Sequence, residues 1–454
     1  MSAAPGRSQA SSHRSAQHEG TPVSAAPPLP VRQGLAYGLL GLPLAFVALP
    51  LYVLLPNHYA REFGMPLATL GSVLLAARLL DAVIDPLLGR LSDRLFARSI
   101  GSVLAAGALA ALLLALGLVG LFFPAVQGPQ ALAAWAAGGL LVTYTAYSQL
   151  GITHQSWGAR LGGDELQRGR IVAWREGCGL VGVVLASVLP ALLGLPVMLG
   201  VFVATLMLGW LAWSRAPVPA VSPGQSAGAA ALWRPWGSTD FRHLLAVFML
   251  SGTASAVPAT LVLFFIQDRL RAAPAQEPLF LGAYFLCAAL SIPLWLKAVA
   301  RWGLARTWLT GMLLAVAMFA GAAGLGEGDT AAFLAVCALS GVALGTDLAL
   351  PSALLAGVIA HEGDSGRHEG AYFGWWNFAT KLNLALAAGL ALPLLGALGY
   401  SPGTRDPEAL RTLSLAYAVL PCGLKLLAAA ALYFLIIRRP EARAPSLSHG
   451  QGTP

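Results

Sequence analysis

The stretch ARLLDAVIDPLLGRLSDR, Ala77 to Arg94, decides how the rest of the chain is read. Its first half lies in a segment, 66–88, otherwise apolar enough to cross a bilayer, yet Arg78, Asp81 and Asp85 sit inside it. Each ionised side chain near a bilayer centre costs roughly 2.5–3.5 kcal/mol, so such residues face a protein interior or an aqueous cavity and mark an ion or substrate path. At 100° per residue the three fall within a ~60° arc of one helix face. Far along the chain, Lys381 is embedded in a second apolar segment, nine residues beyond Tyr372 and so ~14 Å deep at 1.5 Å per residue.

Composition sets the class. Hydrophobic residues make up 57% of the 454 and charged residues 11%, against about 45–50% and about 25% in soluble domains. Apolar runs of about 20 residues recur without the ~10-residue alternation of barrel strands, so the chain reads as an all-α integral membrane protein. Twelve spans are expected at 35–56, 66–88, 100–123, 130–155, 172–193, 195–213, 242–266, 278–298, 305–325, 331–359, 372–398 and 410–436.

Charge tests that count, because cytoplasmic loops are enriched in Lys and Arg. With both termini inside, 20 of the 28 basic residues fall on the cytoplasmic side and only five in outer loops. The net charge of +8 is thereby explained by topology. No basic stripe interleaved with aromatics points to nucleic acid. Residues 1–33, without an apolar core, are expected to be a disordered cytoplasmic tail. Helical bundles are expected at 34–213 and 242–437, joined by a cytoplasmic linker at 214–241 that contains APVPAVSPGQSAGAA, and residues 438–454 form a second cytoplasmic tail. Cys178, Cys287, Cys337 and Cys422 show no pairing or zinc spacing. No Walker, GxSxG or HExxH motif supports ATP-driven pumping or hydrolysis, and two acids one turn apart on one helix are poorly placed to share a proton as an intramembrane aspartyl enzyme would, so no enzyme is expected.

Two six-span halves around a linker resemble the major facilitator fold, whose halves rock about a midplane site. The loop GRLSDRLFAR, Gly89 to Arg98, resembles the facilitator loop that ties helix ends on the cytoplasmic side, which implies a gating role for Asp93 and Arg94. More specifically, Ala77–Arg94 resembles the second helix of the glycoside-pentoside-hexuronide:cation symporters, the melibiose permease family. RIVAWREGCGLVG (Arg170–Gly182) and WWNFATKLNLALAAG (Trp375–Gly389) resemble that family's fifth and eleventh helices. The resemblance covers the whole transmembrane portion. It implies alternating-access symport of a small organic solute, sugar-like by family, with a monovalent cation, Na⁺, Li⁺ or H⁺, and no other cofactor. Asp81 and Asp85 are then the cation (metal-ion) ligands, assisted by Thr145 and Ser148, and Lys381 takes the cation's electrostatic place when the site is empty. The residues agree with this, since two carboxylates one turn apart repel and call for a proton, a metal ion or an ammonium, and oxygen ligands suit a hard cation.

The chain departs from the melibiose type where Leu44 and Ala45 stand for a Lys and a sugar-binding Asp, and where Ser148 stands for a shared Asp. A cavity that has lost these acids and kept Arg175 is expected to favour an anionic or amphiphilic solute, with Tyr144, Tyr147, Gln149, Trp376, Asn377 and Asp347 as further contacts. Bland readings stand beside these: Arg78 neutralising Asp81 rather than gating, Lys381 as a plain salt bridge, Asp347 holding the helix break before Pro351, His154 structural. Lys425 has no evident partner. An uncoupled facilitator or lysolipid carrier with a locked charge cluster is the alternative function. Small residues at helix faces fit a bacterial inner membrane protein, and a monomer in contact with membrane lipid is expected.

Overall fold

The computed structural model describes residues 29–219 and 229–438, and among these every regular element is helical. The expected tails therefore lie almost wholly outside the described residues, as does the linker's 220–228 part. The long helices are α1 (Val31–Arg61), α2 (Leu67–Arg98), α3 (Ile100–Phe122), α4 (Pro129–Arg160), α5 (Glu165–Pro190), α6 (Leu192–Trp213), α7 (Thr239–Arg269), α8 (277–302), α9 (304–324), α10 (Thr330–His361), α11 (Glu369–Ala397) and α12 (Pro407–Ile437). Eight helical stretches among the described residues are long and apolar enough to cross a membrane. α2, α4 and α11, of 32, 32 and 29 residues, have the length as well and carry most of the polar groups discussed below.

Two pairs run almost without interruption. α5 is followed by α6, and α8 by α9, across a sharp non-helical bend at Gly194 (φ 80°) and at Gly303 (φ 76°). Glycine alone adopts such a φ without a Cβ penalty, so these positions turn the chain with no loop. Part of the linker is helical too: short turns at Ala229–Trp233 and Arg234–Gly237 dock on the far end of the chain, where Trp375 Nε1 donates to the Leu232 carbonyl at 2.9 Å and Arg234 pairs with Asp364 at 3.1 Å.

The core follows the two halves. One buried apolar cluster draws its residues from Tyr37 to Ala216 and another from Ala256 to Ala418. A third joins Leu88, Ile152 and Val172 to residues of α7, α9, α10, α11 and α12, sealing the halves together at one end. At that end α2 and α11 touch backbone to backbone. A Cβ built on Gly370 would lie 2.1 Å from the Gly89 carbonyl oxygen, and one on Gly374 would lie 2.7 Å from that of Asp85. No side chain fits there. This contact brings the Asp85 turn of α2 against the Lys381 stretch of α11.

Candidate functional site

Lys381 is held in an oxygen cage. Its Nζ lies 2.6 Å from Asp81 Oδ2, 2.7 Å from Asp85 Oδ2 and 2.8 Å from Ser148 Oγ. Ser148 Oγ in turn donates to Asp81 Oδ1 at 2.9 Å. The ammonium donates to Asp85 Oδ1 and to Ser148 Oγ, each at 2.8 Å, while Asp81 Oδ2 is an ion-pair contact, so oxygens from two helices, α2 and α4, surround it. The carboxylates are 1% and 0% exposed and the lysine side chain 14%. One ammonium between two carboxylates leaves one negative charge in excess. Arg78 does not cancel it by direct pairing: its guanidinium lies over the Tyr52 ring, 4.2 Å from the centroid, and reaches Tyr144 rather than Asp81.

Beside the cage opens a cavity of about 160 Å³, lined by Gly41, Leu44, Ala45, Tyr147, Ser148, Gly151, His154, Gln155, Arg175, Glu176, Gly179, Asn377 and Lys381. Its walls come from α1, α4, α5 and α11. The first and third of these meet closely because Gly38, Gly41 and Gly182 let backbones touch. Arg175 Nε donates to Glu176 Oε1 at 2.9 Å, so a guanidinium and a carboxylate stand side by side in the wall. Asn377 Nδ2 donates to the Phe373 carbonyl at 2.8 Å. His154 Nε2 lies 2.8 Å from the Tyr37 carbonyl, which can only accept, so the proton is on Nε2 and a neutral ring offers Nδ1 as an acceptor.

Several expectations need correcting. Gln149 is turned away, donating to Thr153 Oγ1 at 2.7 Å. Helix geometry explains it: Tyr147, Ser148, Gly151, His154 and Gln155 share a ~120° arc of α4, and Gln149 falls ~100° beyond its edge. Thr145 lies ~60° beyond the same edge and is outside the contacts that hold Lys381. Tyr144 is buried next to Tyr52 and Arg78, away from the cavity wall. Trp376 stacks on Phe248 with centroids 3.9 Å apart and serves packing. Asp347 belongs to a different centre, where its carboxylate is bonded to Lys425. Glu176 and Gln155 are polar cavity residues that sequence reasoning missed; for Glu176, whose neighbour Arg175 was singled out, adjacency in sequence was the available signal.

The Arg-rich end carries a second cluster that joins the halves. Asp93 on α2 accepts from the backbone N–H of Gly370 at 2.7 Å and of Ala371 at 2.9 Å, capping the start of α11 from the other half. Arg160 on α4 bridges Asp93 at 2.8 Å and Glu369 at 2.9 Å, all three fully or nearly buried. Burial pushes the Asp93 carboxyl up to about 7 and raises Glu369 as well, while Arg160 pulls both the other way. Arg94, expected here, is exposed, and Arg160 takes its part. A similar loan occurs on α5, where Glu165 Oε2 accepts from the Leu304 N–H at 2.7 Å, just past the Gly303 bend.

A family model described as MFS/sugar transport protein matches residues 34–439. Among curated proteins no sequence matches. Solved structures align along most of the chain. A bacterial homologue of the iron transporter ferroportin, outward-facing, has 14% identity over 90% of this chain and 100% of its own, with a TM-score of 0.68. The E. coli fucose:proton symporter has 15% identity over 89% and 98%, with a TM-score of 0.66. The human organic anion transporter has 19% identity over 89% and 100%, with a TM-score of 0.64. At such identities the likeness establishes the fold alone.

Proposed function

The chain belongs to the MFS/sugar transport protein family and is a multi-pass membrane transporter rather than an enzyme; on that premise we propose that it carries a small polyhydroxylated solute in symport with a monovalent cation. The assignment to the melibiose permease type is consistent with this family. The proposed topology is the twelve-span one, two six-helix bundles around a linker with both ends in the cytoplasm of a bacterial cell.

One observation carries the coupling. The Asp81, Asp85 and Ser148 oxygens that hold the Lys381 ammonium are the set that a small cation takes, and the cage retains one uncompensated negative charge. When Na⁺ or H⁺ binds, Lys381 gives up part of its hold and the charge of the site is balanced. Asp93, Arg160 and Glu369 then act as the cytoplasmic gate.

The solute reading rests on Glu176. The positions where acids are missing, Ala45 and Ser148, line the same cavity as Glu176, so a carboxylate is present after all, on α5 beside α1. With Arg175, Asn377, Gln155 and His154 it offers donors and acceptors in balance, which suits hydroxyls and opposes a net anion. An engineered cavity of about 150 Å³ holds benzene, so the volume here, about 160 Å³, favours a small solute over a lysolipid chain.

The test is uptake by the purified protein in proteoliposomes, with labelled monosaccharides, glycosides, organic anions and lysolipids, each with and without inward Na⁺ and H⁺ gradients. Gradient-driven uptake of a neutral sugar-like solute is expected, lowered at least about tenfold, or about 1.4 kcal/mol, in Glu176→Gln. Uptake of organic anions or lysolipids alone, or transport indifferent to both gradients, would sink the reading.

A further inference from the structure

We propose that Gln155 is the floor of the solute cavity: with Asn377 it separates the cavity from a second, smaller void on the way to the Arg-rich end, and a solute hydroxyl that breaks into their bond opens that way. The proposal rests on the reading that a hydroxylated solute occupies the cavity, and deepens it by naming the contact that the solute must displace to leave.

The second void, of about 10 Å³, has room for at most about one water and for no solute. Its place follows from the direction of each helix that walls it. Gly158 and Ala159 of α4 stand between Gln155 and Arg160, Arg168 lies ~10 Å from Arg175 toward the start of α5, and Phe373 is one turn nearer than Asn377 to the start of α11 at Glu369. The void therefore lies between the cavity and the cluster of Asp93, Arg160 and Glu369. Residues of α1, α4 and α5 wall it from the first half and residues of α10 and α11 from the second, so any parting of the halves at this end widens it.

Two side chains, Gln155 and Arg175, line both spaces. Arg175 is turned to Glu176 within its own half. Gln155 reaches across to the other half, where its Oε1 accepts from Asn377 Nδ2 at 3.4 Å. The same Asn377 amide donates to the Phe373 carbonyl of its own helix at 2.8 Å, so the loose bond is the one between the halves. Neighbouring links between the halves are shorter and involve a charge, 2.8 Å from Lys381 Nζ to Asp85 Oδ1 and 2.7 Å from the Gly370 N–H to Asp93. Ordinary N–H···O bonds extend to about 3.2 Å, and charge-assisted ones are roughly twice as strong as neutral ones. A stretched, neutral bond in the wall of the cavity is the link that a solute exchanges at least cost.

A hydroxyl both donates and accepts, so one hydroxyl of a solute can bond the Gln155 oxygen and the Asn377 amide in place of the bond between them. The space beyond is fitted to receive such a group. Tyr37, Arg168 and Ser352 line it along with Gln155 and Arg175, whereas a gap left by imperfect packing is ordinarily apolar. Gln155 thus stands where binding of the solute and opening toward the Arg-rich end meet in one hydrogen bond.

The test follows a thiol placed in the second void. The full chain without its native cysteines and with Ser352→Cys, a position 8% exposed, is reconstituted in lipid and treated with 2-aminoethyl methanethiosulfonate in the absence of solute. Gln155→Leu, which keeps most of the bulk and loses the bond, is expected to speed modification about threefold or more, and Gln155→Ala, which loses the bulk too, at least about tenfold. Gln155→Glu keeps an oxygen for Asn377 and is expected to stay within about twofold of the protein with Gln155. Ser291→Cys, at a position 5% exposed and outside both linings, controls for general loosening and is expected to react at one rate in every variant. Counterflow of labelled D-glucose and D-galactose is run beside it, and Gln155→Leu is expected to raise KM about fivefold or more for a sugar that is carried. A Ser352→Cys rate indifferent to both Gln155→Leu and Gln155→Ala, an equal rise at Ser291→Cys, or an unchanged KM overturns the proposal. Absence of counterflow with either sugar in the protein with Gln155 goes against the solute reading instead, since the thiol rates are taken without solute and still decide the floor.

Discussion

Asp81→Asn and Asp85→Asn are each expected to abolish accumulation of solute against its gradient, a loss of at least about a hundredfold, while exchange down a gradient survives. The amide keeps the volume of the carboxylate and removes the charge that draws the cation into the cage. Either substitution leaves one carboxylate against Lys381, a neutral pair with no electrostatic reason to admit another cation. The effect on folding is small by comparison, because Lys381 retains an anionic partner. Gradient-driven uptake and counterflow, measured side by side in proteoliposomes, separate the two outcomes. Undiminished accumulation in both variants would show that the cluster is a structural lock. Lys381→Ala works in the opposite sense: two carboxylates remain without an ammonium, each harder to ionise, and the cation dependence should move to higher pH.

The second large effect lies away from any charge. Gly370→Val places a branched side chain where even its Cβ would be 2.1 Å from the Gly89 carbonyl oxygen and 2.8 Å from Asp93 Oδ1. Backbone cannot yield as a flexible side chain does, so α2 and α11 are held apart at the Arg-rich end. Overpacking of this kind costs about 1–3 kcal/mol in a soluble core, enough to shift a closed-to-open balance by about fivefold or more. Uptake should fall accordingly. In a variant without the native cysteines, a cysteine in place of Ser92, a residue 0% exposed here, should become reactive toward maleimide from that side. Normal uptake together with an unreactive cysteine would show that closure there tolerates the bulk.

How far the sequence foretold this site depends on how unusual each residue is for its surroundings. Asp81, Asp85 and Lys381 stand out because apolar segments give ionised groups no bland explanation, and the structure joins all three. Ser148 followed from the family pattern and is also in place. Arg160 could not be foreseen, since any arginine at that end of a span is already explained by the general excess of Lys and Arg in the loops on one side of the membrane. The partnership of Asp347 with Lys425 spans 78 residues, and no local spacing encodes a contact between helices that distant. Gln149 was chosen by residue type and depth and Thr145 by its place in the family pattern, and the angle of each around α4 turns it from the face that Ser148 shares with the cavity.

The caps lent across the two halves give the molecule a built-in reporter. The amide hydrogens of Gly370, Ala371 and Leu304 are bonded to carboxylates of the opposite half, not to their own helices. Each is one of the donors that every helix start leaves without an internal partner. Whenever the halves part at this end, those three hydrogens meet water together, while the amides one turn further along stay bonded within their helices. Their solvent exchange rate therefore counts how often this end opens, with no label attached and no solute identified.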